Sequence, residues 1–425
     1  MKKSIYLFIL FSLCLCPRQA AAEETLTWQD CLAQARQNNP DLISAEESVK
    51  EQQAGKSITA SALYPQVNAS LDASTSKTSG SGSGGSTTKD SYSYGITGSQ
   101  LIFDGFKTFD DVKAASENIK AARQNYRFAS SVIRLNLRSA FVNLLKSQEL
   151  IGVAEDIIRI RRDNLELITL RYYSGFEHKG ALLTAEANLA QAEFELAQAK
   201  RNLGLYQREL AKEMGCTEFK PMFVKADFTV KDPVNSKPDF EALAKTHPSL
   251  LEAAAKKNAA AFSIRSAYAE FAPQLSGQAS AGKSGEEWSP NGNQWSLGLG
   301  LTLPIFEGGK KIAQVSKAQA VYNQTVADER SAKDSIVVTL EQSWAALQDA
   351  IETVGVEYKS LIACEERSNI AQAQFSTGFI TFDNWIIIEN DLVSAKKSYL
   401  GAQANALLSE ASWIKAKGET LEYAQ

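Results

Sequence analysis

The chain has 425 residues, with 45 Lys and Arg against 49 Asp and Glu and a formal net charge of −4. That balance excludes a strongly basic polynucleotide binder and gives no reason to expect wholesale disorder. Only 2 His and 3 Met are present, too little material for a site built from several His or Met ligands, so no metal or other cofactor is expected.

Residues 1–22 read as an export signal. Lys2 and Lys3 make a positive start, residues 5–15 an apolar core too short to span a bilayer, and Ala20, Ala21 and Ala22 a small-residue cleavage site. A lipoprotein leader fits less well, because Leu13 and Leu15 stand before Cys14 and Cys16 where a small residue is needed. Whether either cysteine is lipidated stays open. The remaining cysteines, Cys31, Cys216 and Cys364, are far apart and show no zinc-type spacing. Downstream of the leader no stretch has the roughly 20 apolar residues of a membrane-spanning helix.

The exported part is duplicated. Asn39-Pro40-Asp41-Leu42 answers to His247-Pro248-Ser249-Leu250, and Pro65-Gln66 to Pro273-Gln274, at an offset of 208. Beyond a Ser/Gly-rich loop the offset becomes 203: Ile102-Phe103-Asp104-Gly105 matches Ile305-Phe306-Glu307-Gly308, Gly152 matches Gly355, and Ser174-Gly175-Phe176 matches Thr377-Gly378-Phe379. Two repeats follow, at 23–213 and 240–425, with a linker at 214–239.

In chain order, each repeat opens with a helical stretch, at 28–62 and 240–271. Alternating segments then predict β-hairpins at about 66–103 and 274–305, the first carrying Val67, Ala69, Leu71 and Ala73, the second Trp295, Leu297, Leu299, Leu301 and Leu303. Helices of unusual length are expected at about 107–174 and 310–377, each without Pro and with one Gly. They reach on the order of 100 Å and must pack along one another, since no globular core buries that length. Returning helices are expected at about 180–214 and 384–417. In the first, Leu182, Leu189, Leu196, Leu203 and Leu210 fall seven apart with Ala185, Ala192 and Ala199 three residues on, which predicts a coiled-coil seam.

Two hairpins supply four strands, too few to close a barrel, and an open sheet edge in lipid leaves unpaired backbone groups costing several kcal/mol each. An apolar face opposite a Ser/Thr/Gly/Gln face suits a wall between lipid and water, completed by further copies of the chain. The same alternation also fits a solvent-exposed sheet on an exported coiled-coil scaffold without a pore.

The duplicated order of helix, hairpin, long helix, Gly-centred turn and returning helix resembles the TolC-type outer-membrane efflux proteins. So does the motif Arg171-Tyr-Tyr-Ser-Gly175-Phe176 followed by Leu182-Leu183-x-Ala185-Glu186-x-x-Leu189. The resemblance covers essentially the whole exported chain. It implies a mixed α/β, mostly α membrane protein: a homotrimer with a twelve-stranded β-barrel in the outer membrane, continued by a coiled-coil α-helical barrel across the periplasm. It also implies a passive, non-enzymatic exit duct for a tripartite efflux pump or a type I secretion system, with a periplasmic adaptor and an inner-membrane transporter as partners. Carried over by position, Arg171, Gly175, Phe176, Gly378 and Phe379 are the adaptor-docking candidates. Asp383 and Asn384 are the gate candidates, although Asn384 and Ile387 depart from the acidic pattern such gates often have. Asp383 also fits a helix N-cap, and the two Phe residues also fit apolar caps on the coiled coil.

Other motifs point nowhere. Gly277 to Ser284 fits the phosphate-loop pattern, but Gly285, Pro290 and Gly292 follow where a helix is required. His178 beside a turn and His247 before a proline suit capping or solvation better than catalysis, and Glu186 and Glu389 suit solvation or pairing with neighbouring helices.

Overall fold

The computed structural model describes residues 24–78, 87–228, 230 and 237–423. The leader, the centre of the Ser/Gly-rich loop and part of the linker lie outside these residues, as do Cys14 and Cys16. The elements run β1 (Glu24–Leu26), α1 (Trp28–Asn38), α2 (Pro40–Ser61), β2 (Gln66–Thr78), β3 (Thr87–Phe103), α3 (Lys107–Tyr173), α4 (Lys179–Glu213) and β4 (Met222–Val224). The second repeat continues with α5 (Phe240–Thr246), α6 (Pro248–Ala269), β5 (Gln274–Gly285), β6 (Gly292–Thr302), α7 (Lys310–Ser376) and α8 (Phe382–Ala416). No helix among the described residues is long and apolar enough to cross a membrane.

The two opening helical stretches are each broken in two, at Asn39-Pro40 and His247-Pro248, because the residue before a proline is pushed out of the α region. Asn39 (φ −65°, ψ 120°) turns this break into a joint. Its Oδ1 accepts from the Asp41 and Leu42 N–H groups at 3.0 Å each, capping α2, while its Nδ2 donates to the Glu213 carbonyl at 2.9 Å, closing the end of α4. The shorter helices α4 and α2 thus stack end to end along α3, which contacts both, and α8 and α6 stack likewise along α7. With α3 also touching α6 and α8, the order across the wall is α4/α2, α3, α8/α6, α7. Each 67-residue helix is about 100 Å long.

The strands repeat that order. β2, β3, β5 and β6 form one antiparallel sheet in sequence order, with β2 and β6 at its edges. Its register puts Ala69, Ile96, Ala281 and Trp295 in one row and Val67, Gly98, Ala279 and Leu297 in another on the same face. On the opposite face Asn68, Thr97, Ser280 and Ser296 align, and the two serine hydroxyls lie 2.8 Å apart. Among the described residues no other element covers the apolar face: Leu71, Trp295 and Leu297 are 70 %, 80 % and 78 % exposed. The second hairpin is shorter than the sequence pattern indicates. β6 stops at Thr302, so Leu303 is outside the strand, because Pro304 removes a ladder donor and constrains the residue before it.

The coiled-coil seam keeps the alanines and Leu210 of its heptad reading buried, but not the other leucines. In α4 the alanines at 185, 192 and 199 are buried against α3, whereas Leu182, Leu189, Leu196 and Leu203 sit half-buried at the margin. Small side chains let the two helix axes approach, and the leucines then flank the contact instead of filling it. The main core lies where the helices join: Cys31, Leu32, Leu137, Phe141, Leu144, Leu210 and Met214 pack together, and burial pushes the Cys31 thiol up to about 12. Cys216 Sγ contacts Gln34 Oε1 at 3.8 Å.

Candidate functional site

The tip of the wall is made by two copies of one turn. Gly175 (φ 79°) and Gly378 (φ 81°) end the long helices in the left-handed region. The following Phe N–H reaches back five residues, Phe176 to the Arg171 carbonyl and Phe379 to the Gln374 carbonyl, both at 2.8 Å. The glycine N–H groups donate to Tyr172 and Phe375, which completes a Schellman motif at each tip. In that motif the residue after glycine ordinarily packs back on the helix. Here Phe176 is 75 % and Phe379 84 % exposed, so neither ring caps the coiled coil.

Arg171 turns inward. Its Nη1 donates to the Phe375 carbonyl at 3.1 Å, its guanidinium lies 4.6 Å over the Phe375 ring, and its Nε is 3.8 Å from Glu177. It therefore ties the first tip to the second. Beneath it Phe375 and Trp385 stack at 4.4 Å with 9° between the rings, joined by Ile168, Ala181, Ala185, Ala371 and Phe382 in a closed apolar plug. Nothing in the sequence marked Glu177 or the Arg171–Phe375 contact, the latter joining residues 204 apart.

Asp383 and Asn384 are exposed in the first turn of α8. Asp383 is not its cap: Thr381 is, its hydroxyl accepting from the Asn384 N–H at 3.4 Å. The equivalent position in the first repeat is His178, whose Nδ1 accepts from the Ala181 N–H at 3.1 Å and caps α4. His247 stands where the first repeat has Asn39 and caps α6, its Nδ1 accepting from the Ser249 N–H at 3.2 Å. Both histidines are thus structural. Gly277 to Ser284 lies wholly within β5, with β6 after it and no helix to receive a phosphate.

His247 makes folding pH-sensitive. It is 5 % exposed beside Lys415 and the Phe128 ring, and burial first, then Lys415, lowers its pKa from 6.5 to about 4. Because the folded value lies below the unfolded one, the neutral ring's contribution is complete above about pH 6.5 and is lost as pH falls toward 4. The expected loss is roughly 3 kcal/mol per chain, read from denaturant midpoints across that range. His247→Asn, which installs the first repeat's cap, should flatten the profile; an unchanged slope would assign the sensitivity to other groups.

The family model described as "Outer membrane efflux protein" matches residues 31–215 and 241–419. The chain belongs to the outer membrane efflux protein family. Among relatives it is 23 % identical over 421 residues to the outer membrane efflux protein BepC of Brucella suis biovar 1, covering 98 % of this chain and 90 % of that one. It is 25 % identical over 418 residues to the outer membrane protein TolC of Escherichia coli K12, covering 91 % and 80 %. The solved structure of a membrane protein from Pseudomonas aeruginosa superposes with a TM-score of 0.82 at 18 % identity, over 92 % of this chain and 93 % of the other. The Campylobacter jejuni CmeC outer membrane channel gives 0.78 at 17 % identity, over 93 % and 87 %. These likenesses carry the fold. As a family member the chain is an outer-membrane efflux protein, its sheet in the membrane and its helical wall on the periplasmic side.

The dimensions of the sheet agree with that placement. On the apolar face, Tyr94 and Phe103 lie at opposite ends of a ten-residue band on β3, about 30 Å along the strand. Tilted by about 40°, that band spans about 23 Å of membrane normal, close to the roughly 25 Å apolar belt of such barrels with aromatic girdles at each rim. Trp288 packs edge-on against Tyr92 at one end, and Phe106 against Phe103 at the other.

Proposed function

We propose that three copies of the chain close into one continuous duct, a twelve-stranded barrel above a helical barrel. Substrates then pass passively from a periplasmic adaptor and its inner-membrane transporter to the exterior. The observation that carries this reading is the shared order of the two layers. Sheet and helical wall both begin with the first repeat and end with the second, so both leave matching open edges, β2 with α4/α2 on one side and β6 with α7 on the other. One rotation that pairs β6 with the next β2 also sets α7 against the next α4/α2, the closure a cyclic assembly needs. The polar face, rich in Ser, Thr, Gln and Gly, then lines water and the apolar face meets lipid. A pore-free scaffold leaves Trp295, Leu297, Leu299 and Leu301 uncovered, which disfavours that alternative.

In this reading the exposed Phe176 and Phe379 are apolar knobs for the adaptor, held out by Gly175 and Gly378, and Arg171 fixes the spacing of the two tips. Asp383 and Asn384 face the aperture on the first turn of α8. No chemistry is performed, and the partner supplies the energy.

The test is reconstitution. The detergent-purified, leader-free protein should form trimers that conduct ions in planar bilayers, whereas a stable lipid-free monomer that never conducts would overturn the duct. Gly175→Pro or Gly378→Pro cannot adopt the positive φ and loses the turn N–H. Each should abolish capture of the adaptor in a pull-down while leaving trimers intact, and loss of the trimer would refute a role confined to docking.

A further inference from the structure

About 16 Å along α3 from the Gly175 turn, the helical wall holds a cavity of ≈ 320 Å³. Asp163 and Asn164 of α3, Glu365 and Ser368 of α7, and Glu389 and Lys396 of α8 line it. Asn164 is 6 % exposed, yet its Nδ2 has no hydrogen-bond partner among the described residues. A buried donor left unpaired costs about 1–3 kcal/mol, so the site calls for an acceptor oxygen there.

The charges supply the second requirement. Glu389 is 3 % exposed and accepts the Ser368 hydroxyl at 2.5 Å. Arg161 lies behind it, bonded to the Asn390 side-chain oxygen at 2.6 Å and attracted to Glu389, while burial lowers the guanidinium's pKa. Lys396 is 4.0 Å from Glu365. Two cations therefore face three carboxylates, and Asp163, exposed at the rim, has no ion-pair partner among the described residues. The residual charge is negative; Asn369 and Gln372 add side-chain amides to the wall, and Asn164 Nδ2 on it, like Arg161 Nη1 behind it, is buried without a partner among the described residues.

We propose that this cavity binds small hydrophilic amines that also carry hydroxyl or carbonyl oxygens, such as amino sugars and amino alcohols. The protonated amine sits against Asp163 and Glu389, and an oxygen accepts from Asn164 Nδ2. The volume is at the lower end for small-molecule pockets, which restricts the occupant to roughly the size of one sugar ring. Naming this class as cargo rests on the duct reading; the binding itself does not.

The test is calorimetric titration of the detergent-solubilised full-length protein with glucosamine, with glucose and 1,5-diaminopentane as controls. Glucosamine should bind saturably, one per chain, and neutral glucose should not bind. Glu389→Gln, which keeps the shape and the Ser368 contact, should weaken glucosamine and the diamine alike by about tenfold. Asn164→Leu should weaken glucosamine by a similar factor and leave the diamine unchanged, a pattern that loss of fold cannot produce. Absence of saturable glucosamine binding at millimolar concentration, or binding indifferent to Asn164→Leu, overturns the proposal. Bilayer conductance of the same preparation keeps the two readings apart: a conducting protein that binds no glucosamine retains the duct and loses the site, and a binding protein that never conducts does the reverse.

Discussion

Gly215→Ala should destabilise the protein by roughly 4 kcal/mol or more, although it adds one methyl group far from both tips. Gly215 follows α4 with φ 74°, and a Cβ there would lie 2.2 Å from the Asn38 carbonyl oxygen and 2.4 Å from its carbon. The left-handed conformation alone costs an alanine about 1 kcal/mol. The larger part is the collision, because the obstacle is backbone at the joint where Asn39 caps α2 and closes α4, and no side chain can swing aside. Gly175→Ala is the matched control: its φ is 79° but nothing lies within 4 Å of the added Cβ, so only the conformational cost of about 1 kcal/mol remains. Thermal unfolding of both variants in one detergent should separate them widely. Equal shifts would mean that α4 and α2 are not locked end to end through this joint.

That joint also shows what the sequence could and could not convey. The duplication was legible because 208 and 203 offsets preserve Asn-Pro against His-Pro and Gly-Phe against Gly-Phe, and these are positions where backbone geometry leaves few residue choices. Asn39 and His247 differ in chemistry yet both present an acceptor to the first turn of a helix, so their equivalence is visible in the pattern and their role is not. Strand alternation was readable for the same reason: period 2 survives in each strand alone. What joins the hairpins, the pairing of β3 with β5, depends on residues almost 200 apart and leaves no local trace. The tip divides in the same way. Gly175 and Gly378 are marked by the turn they must make, whereas Arg171 was a docking candidate by position alone, and its seat over Phe375 exists only in the fold. The cavity residues were least legible. Glu389 matched Glu186 by offset, but Glu186 is exposed and Glu389 is buried, because only the second repeat's returning helix is sandwiched between α3 and α7.

Trp385→Ala should cost about 3–5 kcal/mol, and the loss should be felt at the tip before it is felt anywhere else. Trp385 is fully buried, stacked on Phe375 and edge-on to Phe382 at 6.4 Å, and its removal opens a cavity lined by Ile168, Ala181 and Ala371. Those residues come from all four tip helices, so the ring is the common floor on which the two hairpins rest. Arg171 depends on it indirectly: the guanidinium stacks on the opposite partner of the same pair, and a tilted Phe375 would withdraw both its ring and its carbonyl. The helix joint is some 50 Å away along α4 and shares no residue with this plug, so the two regions should respond independently. Hydrogen exchange on reconstituted trimers is the direct measurement. Amides of residues 165–185 and 371–389 should lose protection in Trp385→Ala while those around Leu137, Phe141 and Leu210 keep theirs. In bilayers the same variant should show a raised and noisier resting conductance, because Phe176, Phe379 and the first turn of α8 are then no longer held to one spacing. Uniform loss of protection along the wall would make the tip and the joint one cooperative unit and remove the plug as a separately adjustable element.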